Sequence, residues 1–571
     1  MIVRVVPDIP GLDKNFDYSV PPPLEPLVRP GAVVRVELNR RRVDAWVVEC
    51  GEFGAPGFDQ VPAGKLVDIL SVADLGVDVD VMPLVHWVSG HWAGPLRNVL
   101  ASATPERKKS RHRHTRRNAV PAPVGPLAKA VLGSAHSGGA LLNVPPLSSA
   151  LAVVEAAATL GTVLVLCPTL RMARLGAAWL RRRGLTTAEL PDDIESALSG
   201  VNVVIGARSA VLAGCAGLSS IVVIDEHEEA YHEERVPTWW APHVAVERAR
   251  RAGIPVWLTS AVPSDAAGIL MGPPVECGGD GWSTVECVNL LDVPVKGSLL
   301  SSDLIDAVRG TKGPVLCVLN TKGSGRLFVC KSCRSLQACD ACGTAAVVEG
   351  DRLVCPACSS VRPAVCAECG RTVLVAARAG VASLCSEIQK ATGRQATEVT
   401  ASTPGVGEGD GVWVGTDALL HRVPGASVVV FLDVDRELSA PRMSAGRDVL
   451  ASVARAARLT GARGRVLVQT RQPGHPLLAA LFAGDTSAWL RAQSSTARAL
   501  GLPPFTSTAV CTFKTTVVES SLPEVPGVQW SLQGNVLSAR SPDHRVLLGF
   551  VEEIRSRFGH DVRVAVNPPR Q

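Results

Sequence analysis

The sequence predicts an α/β chain of two parallel-sheet lobes with a cysteine-rich insert between them. A small, mostly β unit precedes the lobes and a small mixed α/β unit follows them. Three observations carry this reading. Short apolar runs recur between Ala/Arg/Leu-rich stretches, the pattern of strands covered on both faces by helices. Eight of the 16 cysteines fall within residues 330–369. The length of 571 residues, at roughly 100–200 per domain, leaves room for several domains.

Residues 1–104 read as strands followed by helix. The runs 33–37 and 45–49 lie between turn signals as strands of a small sheet. From Met82 to Leu100, Leu84, Val88 and Trp92 recur at helical spacing and predict one helix. Residues 105–125 form a basic linker, with seven Lys/Arg between Pro105 and Asn118 and a Pro/Gly-rich close at 121–126. The first lobe, 126–327, carries the apolar runs 162–167, 201–205, 220–224, 254–258 and 315–320, with helix 170–183 among them. The insert spans 328–371. The second lobe, 372–500, resumes with strands 411–415, 427–433 and 465–469, and 501–571 form the C-terminal unit.

With 46% apolar and 19% charged residues, the composition excludes disordered and fibrous classes. No apolar run approaches the roughly 18 residues that span a bilayer, so no membrane partner is expected. The first residues lack the basic-then-apolar pattern of a secretory signal, and a cytoplasmic location is expected. The net charge of +5 is too small to mark a nucleic-acid binder by itself. Distribution says more, with arginine triplets at Arg40–Arg42 and 181–183 beside the basic linker. Such runs are most often solvated surface.

In a reducing compartment the clustered cysteines point to metal rather than disulfides. They form four CxxC pairs: Cys330/Cys333, Cys339/Cys342, Cys355/Cys358 and Cys366/Cys369. A CxxC turn presents two thiolates to one ion and zinc takes four tetrahedral ligands, so four pairs make two closed, structural sites. The twelve residues between Cys342 and Cys355 suit a hairpin joining the inner pairs. Sequential and cross-braced pairings are also geometrically possible. At the end of the 221–224 strand stand Asp225, Glu226, His227 and Glu228. In NTPases an Asp there holds Mg²⁺ and the next Glu positions the attacking water.

The surrounding strings resemble the PriA family, bacterial primosomal protein N′, a superfamily 2 helicase. Val204–Leu212 resembles its G-T-R-S-A-x-F segment, Ile221–Tyr231 its V-D-E-E-H-x-x-x-Y box, and Leu258–Ser264 its G-S-A-T-P-S. Leu432–Asp435 and Ala499–Phe505 resemble its L-D-A-D and L-G-Y-P-P-F, and Leu12–Pro21 its F-D-Y-x-x-P start. The resemblance covers 1–104 and about 140–510. It implies RecA-like helicase lobes and two Zn²⁺ ions per chain. The outer cysteines Cys330, Cys333, Cys366 and Cys369 would bind one ion, and the inner Cys339, Cys342, Cys355 and Cys358 the other. It also implies a 3′-end pocket: Phe16 would stack on the terminal base, Asp17 would accept the 3′-hydroxyl proton, and Lys65 would lie in the same pocket.

The chain departs from this family at the motor. No phosphate loop of the form G-x-x-x-x-G-K-[ST] occurs, and the family's Lys and Thr fall at Pro146 and Leu147. Proline offers neither an N–H nor a cation to phosphate. The Lys-Gly-His-Asp expected after Gly415–Thr416 is replaced by His421–Pro424. The arginine-finger box is one residue short at Ser452–Arg458. Where they act, such fingers contribute on the order of 10³–10⁵ in rate. These losses argue against ATP-driven unwinding, put ATP binding in question and make Asp225 and Glu226 remnants that hold a loop. The family's winged-helix unit also appears deleted, with only the basic linker in its place.

The expected function is replication restart. The chain would bind forked or branched DNA with a 3′ end and promote primosome assembly and loading of the replicative helicase. Primosome proteins, the replicative helicase and single-stranded DNA-binding protein are its implied partners, in a bacterial, nucleoid-associated setting. One alternative is an ATP-dependent 3′-to-5′ helicase with an atypical nucleotide site. Another is a zinc-ribbon adaptor that does not bind DNA.

Overall fold

The computed structural model describes the chain except residues 13, 59–65, 74–75, 106–115, 279–280, 294–297, 321–327, 357, 377–380, 401, 408, 441 and 570–571. Residues 1–143, 150–277 and 497–571 form one compact unit, and 144–149 with 278–496 a second. Among the described residues no helix is long and apolar enough to cross a membrane.

In the first unit, an antiparallel sheet opens the chain with β1 (Ile2–Pro7), β2 (Phe16–Ser19), β3 (Val33–Leu38), β4 (Arg41–Gly51) and β5 (Ser71–Val72), in the order β2-β1-β4-β3-β5. Val3, Val5, Tyr18, Val34, Val36, Ala45 and Val47 alternate onto one face and form its core. Val6 and Trp46 face the other way and join the core of the first lobe.

Two helices follow, α1 (Met82–His91) and α2 (Leu96–Ala103). The single helix expected over 82–100 is therefore corrected to two. Ala93 takes φ +41°, Gly94 lies where a Cβ would sit 2.4 Å from Pro237, and Pro95 starts the second helix. The apolar spacing survives because both helices bury into one core. The linker residues 106–115 lie outside the described set. At its described end, the Asn118 N–H donates to Asn202 Oδ1 and the Asn118 amide donates to the Gly184 carbonyl, tying the linker to the lobe.

The first lobe is a seven-stranded, all-parallel sheet of β6 (Gly139–Asn143), β7 (Thr162–Leu166), β8 (Thr187–Glu189), β9 (Val203–Gly206), β10 (Leu218–Val223), β11 (Val256–Ser260) and β12 (Val275–Glu276). Its order is β12-β6-β11-β10-β7-β9-β8. β7, β9 and β11 are buried at every residue, which is why the sequence shows apolar runs over 163–166, 203–206 and 256–258. The helix Leu170–Arg182 is capped by Thr169, whose hydroxyl accepts the Met172 N–H.

The second unit holds a six-stranded parallel sheet with strands at Thr284–Asn289, Val315–Val318, Ala396–Glu398, Val412–Gly415, Val428–Phe431 and Arg465–Thr470. The first two belong to this sheet, so the second lobe begins at 278 rather than after the cysteines. The boundary expected at 327 is corrected accordingly. Thr284–Asn289 is an edge strand with only Val288 buried, and its mixed polarity hides it in the sequence. The C-terminal sheet, Gln529–Gln533, Val536–Ser541, Ser507–Phe513 and Val562–Val566 in spatial order, is antiparallel and covered by the helix His544–Phe558.

Within the first unit, His91, His243 and His544 meet beside Trp87 and Trp92, with ring centroids 4.2 Å apart for His91–His544 and 4.7 Å for His91–His243. Burial, then the neighbouring His243 and His544, lowers His91 to about 3. Burial, then His544, lowers His243 to about 4, where Glu247 opposes the shift. Burial lowers His544 as well, against the His91 carbonyl and Asp543. Each folded value lies below the ordinary 6.5, so the unfolded chain gains protons first on acidification. Stability is full above about pH 6.5 and falls as pH drops toward 4. At pH 5 His91 and His243 each cost up to about 2 kcal/mol. Thermal unfolding scanned from pH 7 to 4.5 should show this slope, and His91→Gln should flatten it by about one proton; an unchanged slope would remove the cluster as its cause.

Candidate metal centres and the DNA-binding strand

All four CxxC turns share one backbone design. The first cysteine's N–H donates to the carbonyl five residues on, and its carbonyl accepts the N–H four residues on. The residue at that fourth position is Arg334, Gly343, Ser359 or Gly370, with φ between +59° and +74°. Glycine is the cheap occupant of this left-handed conformation, so Arg334 and Ser359 hold it at a cost of about 1–2 kcal/mol.

The turns gather into two tetrads: Cys330, Cys333, Cys366 and Cys369, and Cys339, Cys342, Cys355 and Cys358, each with its sulfur atoms within 4.8 Å of one another. Cys330–Cys369 and Cys333–Cys366 are 3.5 Å apart, Cys339–Cys358 3.6 Å and Cys342–Cys355 3.4 Å. A tetrahedral ion at about 2.3 Å from each sulfur needs sulfurs about 3.8 Å apart, and the donor sets fit. The hairpin 347–354 closes the inner tetrad, and the pairing of Phe328–Cys330 with Leu374–Ala376 closes the outer one.

Within each tetrad the thiols are driven apart: Cys342 and Cys366 lean toward the thiolate form, whereas, against hydrogen bonds from the Ser360 and Arg371 backbone, the neighbouring cysteines push Cys358 and Cys369 up to about 12. Hydrogen bonds from the Thr344 side chain and backbone outweigh burial and hold the Cys342 thiol at about 6. Burial opposes the same change at Cys366, but bonds from Ser335 and from the Cys369 and Glu368 backbone bring it to about 6 as well.

In the N-terminal sheet, the Asp17 carboxylate accepts from Arg4 Nε at 2.9 Å and Nη2 at 3.2 Å. Arg4 also donates to Glu49 Oε2 at 3.0 Å and the Gly57 carbonyl at 2.7 Å, and its guanidinium lies 4.7 Å from the Phe58 ring centroid. The Asp17 hydrogen bond raises the Arg4 pKa against partial burial. A carboxylate offers about four lone-pair sites, so Asp17 keeps capacity for another donor. Phe16 packs its ring partly against the sheet's own core with the buried Tyr18, on the opposite side of the strand from Asp17. Phe16 and Asp17 are thus neighbours whose side chains diverge. Lys65 lies outside the described residues. The sequence reading missed Arg4, Glu49 and Phe58; its available signal was one charge inside the apolar strand Ile2–Pro7.

At the C-terminal edge of the first lobe's sheet, Asp225 is buried with φ +53°, and its N–H reaches Thr259 Oγ1 at 3.4 Å. Buried Glu226 accepts the Ser264 N–H and hydroxyl, each at 2.8 Å, and Ser264 in turn caps the following helix through Ala267 N–H. His227 Nδ1 lies 2.6 Å from Ser260 Oγ. In the second unit, the Leu147 N–H donates to Gly281 O, the Ser148 N–H donates to Pro145 O, and Arg458 Nε donates to Pro146 O at 3.3 Å. Where a phosphate cradle needs unpaired amides, two residues lack an N–H and the next two use theirs within the protein.

Metal analysis of the purified chain should find two ions, and Cys355→Ser should lower this to one. Chelation should release hydrogen-exchange protection across 330–369 while both parallel sheets stay protected. Because binding displaces thiol protons, affinity should fall steadily as pH is lowered. Metal content near zero would refute the tetrads as metal sites.

The family model of the PriA 3′ DNA-binding domain (3′BD) matches residues 4–105. The probable replication restart protein PriA of Mycobacterium tuberculosis is 26% identical over 87% of this chain and 84% of its own length. Its Mycobacterium leprae counterpart is 26% identical over 95% of this chain and 90% of its own. The replication restart protein PriA of Bacillus subtilis is 25% identical over 58% and 45%.

Proposed function

Because the chain belongs to the PriA family of replication restart proteins, we propose that it recognises forked or branched DNA with a 3′ end and promotes primosome assembly there, without unwinding DNA itself. The observation that carries this is the match of residues 4–105 to a 3′ DNA-binding domain, at the head of a chain similar to these relatives over most of its length. Asp17, oriented by Arg4, accepts the terminal 3′-hydroxyl, and Phe16 stacks on the terminal base; Lys65, which the family resemblance adds, lies outside the described residues. The diverging side chains of Phe16 and Asp17 fit a terminal nucleotide that wraps the half-buried start of β2, with its base on one side and its sugar on the other.

The cysteine tetrads hold two zinc ions that stabilise the insert. The second lobe, the insert and the basic linker serve as contact surfaces for DNA, primosome proteins, the replicative helicase and single-stranded DNA-binding protein. A nucleoid-associated, cytoplasmic location follows from this role. The proline pair at 145–146 and the internal engagement of Glu226 argue against nucleotide turnover. The retained Asp225–Glu226 pair makes an atypical motor the natural rival reading.

The test pairs two assays on one metal-loaded preparation. Fork DNA with a free 3′-hydroxyl should bind about tenfold or more tighter than the same fork ending in 3′-phosphate, because a hydrogen bond to a carboxylate contributes about 1.5–3 kcal/mol. ATP hydrolysis should be absent with and without the fork, and Asp225→Ala should leave fork binding unchanged. Fork-stimulated hydrolysis abolished by Asp225→Ala would make the chain a motor. No fork binding even at low salt would favour an adaptor.

A further inference from the structure

The N-terminal sheet carries a second cationic feature that the 3′-end pocket does not use. Strands β3 and β4 are joined by a two-residue turn at Asn39 and Arg40, with φ +49° and +62°. Positive φ at both positions is the type I′ hairpin, which favours Asn at the first position and Gly at the second. Arg40 therefore occupies a glycine position at a steric cost, and an arginine kept there at the tip of a hairpin calls for a use.

Its neighbours strengthen the point. Arg40, Arg41 and Arg42 are all exposed and make no hydrogen bond or ion pair among the described residues. In the same domain Arg4 is paired with Asp17 and Glu49, Arg35 with Asp44, and Arg97 with Asp8. Glu37 stands across the ladder from Arg42 and offsets part of its charge, and Arg35 neutralises Asp44 beyond it, so the tip remains net positive. Strand alternation places Arg42 on the sheet face of Arg4 and Asp17 and Arg41 on the other, with Arg40 at the apex. A two-stranded ribbon fits the major groove of duplex DNA, and arginines on its two faces then meet the phosphate rows on either side.

The register sets the distance. Arg4 pairs with both Asp17 and Glu49, so Asp17 lies level with Glu49, eight residues along β4 from Arg41. At about 3.3 Å per residue this is roughly 25 Å. At 3.4 Å per base pair it corresponds to at most about eight base pairs.

We propose that the Arg40–Arg42 hairpin tip is a phosphate clamp on the duplex within about eight base pairs of the 3′ end held at Asp17. This rests on the 3′-end reading above and adds to it a second, sequence-independent contact at a defined distance. It predicts that the protein measures duplex length behind the 3′ terminus as well as the terminus itself.

The test uses the full chain carrying R40G, R41Q and R42Q together, with glycine at the position that favours it so the hairpin is kept; an unchanged melting temperature checks this. On a 3′-ended duplex of about twelve base pairs, the slope of log affinity against log salt should shallow by about 2–3. Low-salt affinity should fall about tenfold or more. On a 3′-ended single strand of about three nucleotides, too short to reach the tip, variant and wild type should bind alike. An unchanged salt slope on the duplex overturns the clamp while leaving 3′-end binding standing. An equal loss on the short strand also overturns it, because the arginines would then act at the terminus. If the wild type binds neither DNA, the 3′-end reading itself falls and the clamp with it.

Discussion

One apolar core carries the N-terminal sheet and the first lobe together. Val85, Val88, Trp92, Val99 and Leu100 of the two N-terminal helices lie in the same buried cluster as Leu164, Val223, Trp239, Trp240 and Val244 of the lobe. Val6 and Trp46 reach into it from the sheet, and the Trp46 indole N–H donates to Thr104. Each such side chain contributes about 1.5–3 kcal/mol of burial, so the sheet is mounted as part of a domain rather than tethered beside one. The constraint also explains which surface is left over. One face of the sheet fills its own core and part of the other is spent on the lobe. The arginine hairpin and Glu49 remain exposed, beside the half-buried Arg4–Asp17 pair. A measuring distance between two DNA contacts has physical meaning only on such a rigid mount.

The C-terminal unit is fastened to the same body by polar contacts as well as packing. His544 Nε2 lies 2.9 Å from the His91 carbonyl, Thr238 donates to the Val566 carbonyl at 2.7 Å, and Arg555 donates to the Ala93 carbonyl. These bonds come from residues more than three hundred positions away. Those from His544 and Arg555 satisfy carbonyls near the break between the two N-terminal helices, groups that a continuous helix would have satisfied itself.

Much of this was legible in the sequence, for identifiable reasons. The stretches 163–166, 203–206 and 428–431 are buried on both faces and have no polar residue to disguise them. The eight clustered cysteines marked paired metal-ligand turns by spacing alone, and they gather into two tetrads that could each hold an ion. Spacing could not say which pairs share an ion, because all four turns are alike; strand pairing around Cys330 and within 347–354 decides it. The break at Trp92–Pro95 was hidden because both helices bury the same stripe, and the need for Gly94 comes from Pro237, far off in the chain. The edge strand Thr284–Asn289 was missed because half-exposed polar residues interrupt its apolar period. At the start of β2, the family resemblance singled out Asp17. Its clamp by Arg4 was not legible, since the pairing depends on the β1–β2 register.

The nucleotide region shows how a lost motif changes its neighbours' roles. A phosphate loop works by leaving amides unpaired and pointing at the ligand. At Pro145 and Pro146 there are no amides to leave, and those of Leu147 and Ser148 close onto nearby carbonyls. Glu226, at the position of a water-orienting carboxylate, accepts two hydrogen bonds from Ser264 and so braces the start of a helix. Arg458, from the stretch that matches the arginine-finger box, donates to the carbonyl of the very proline that replaces the phosphate-binding lysine. Each of these groups is strongly polar and would be costly to leave without a partner once burial excludes water. Polar groups of this kind, given no phosphate partner, find internal ones and serve as structural bonds within each unit. Retention of an Asp-Glu pair is for this reason weak evidence of turnover, whereas the backbone at 145–148 bears on it directly.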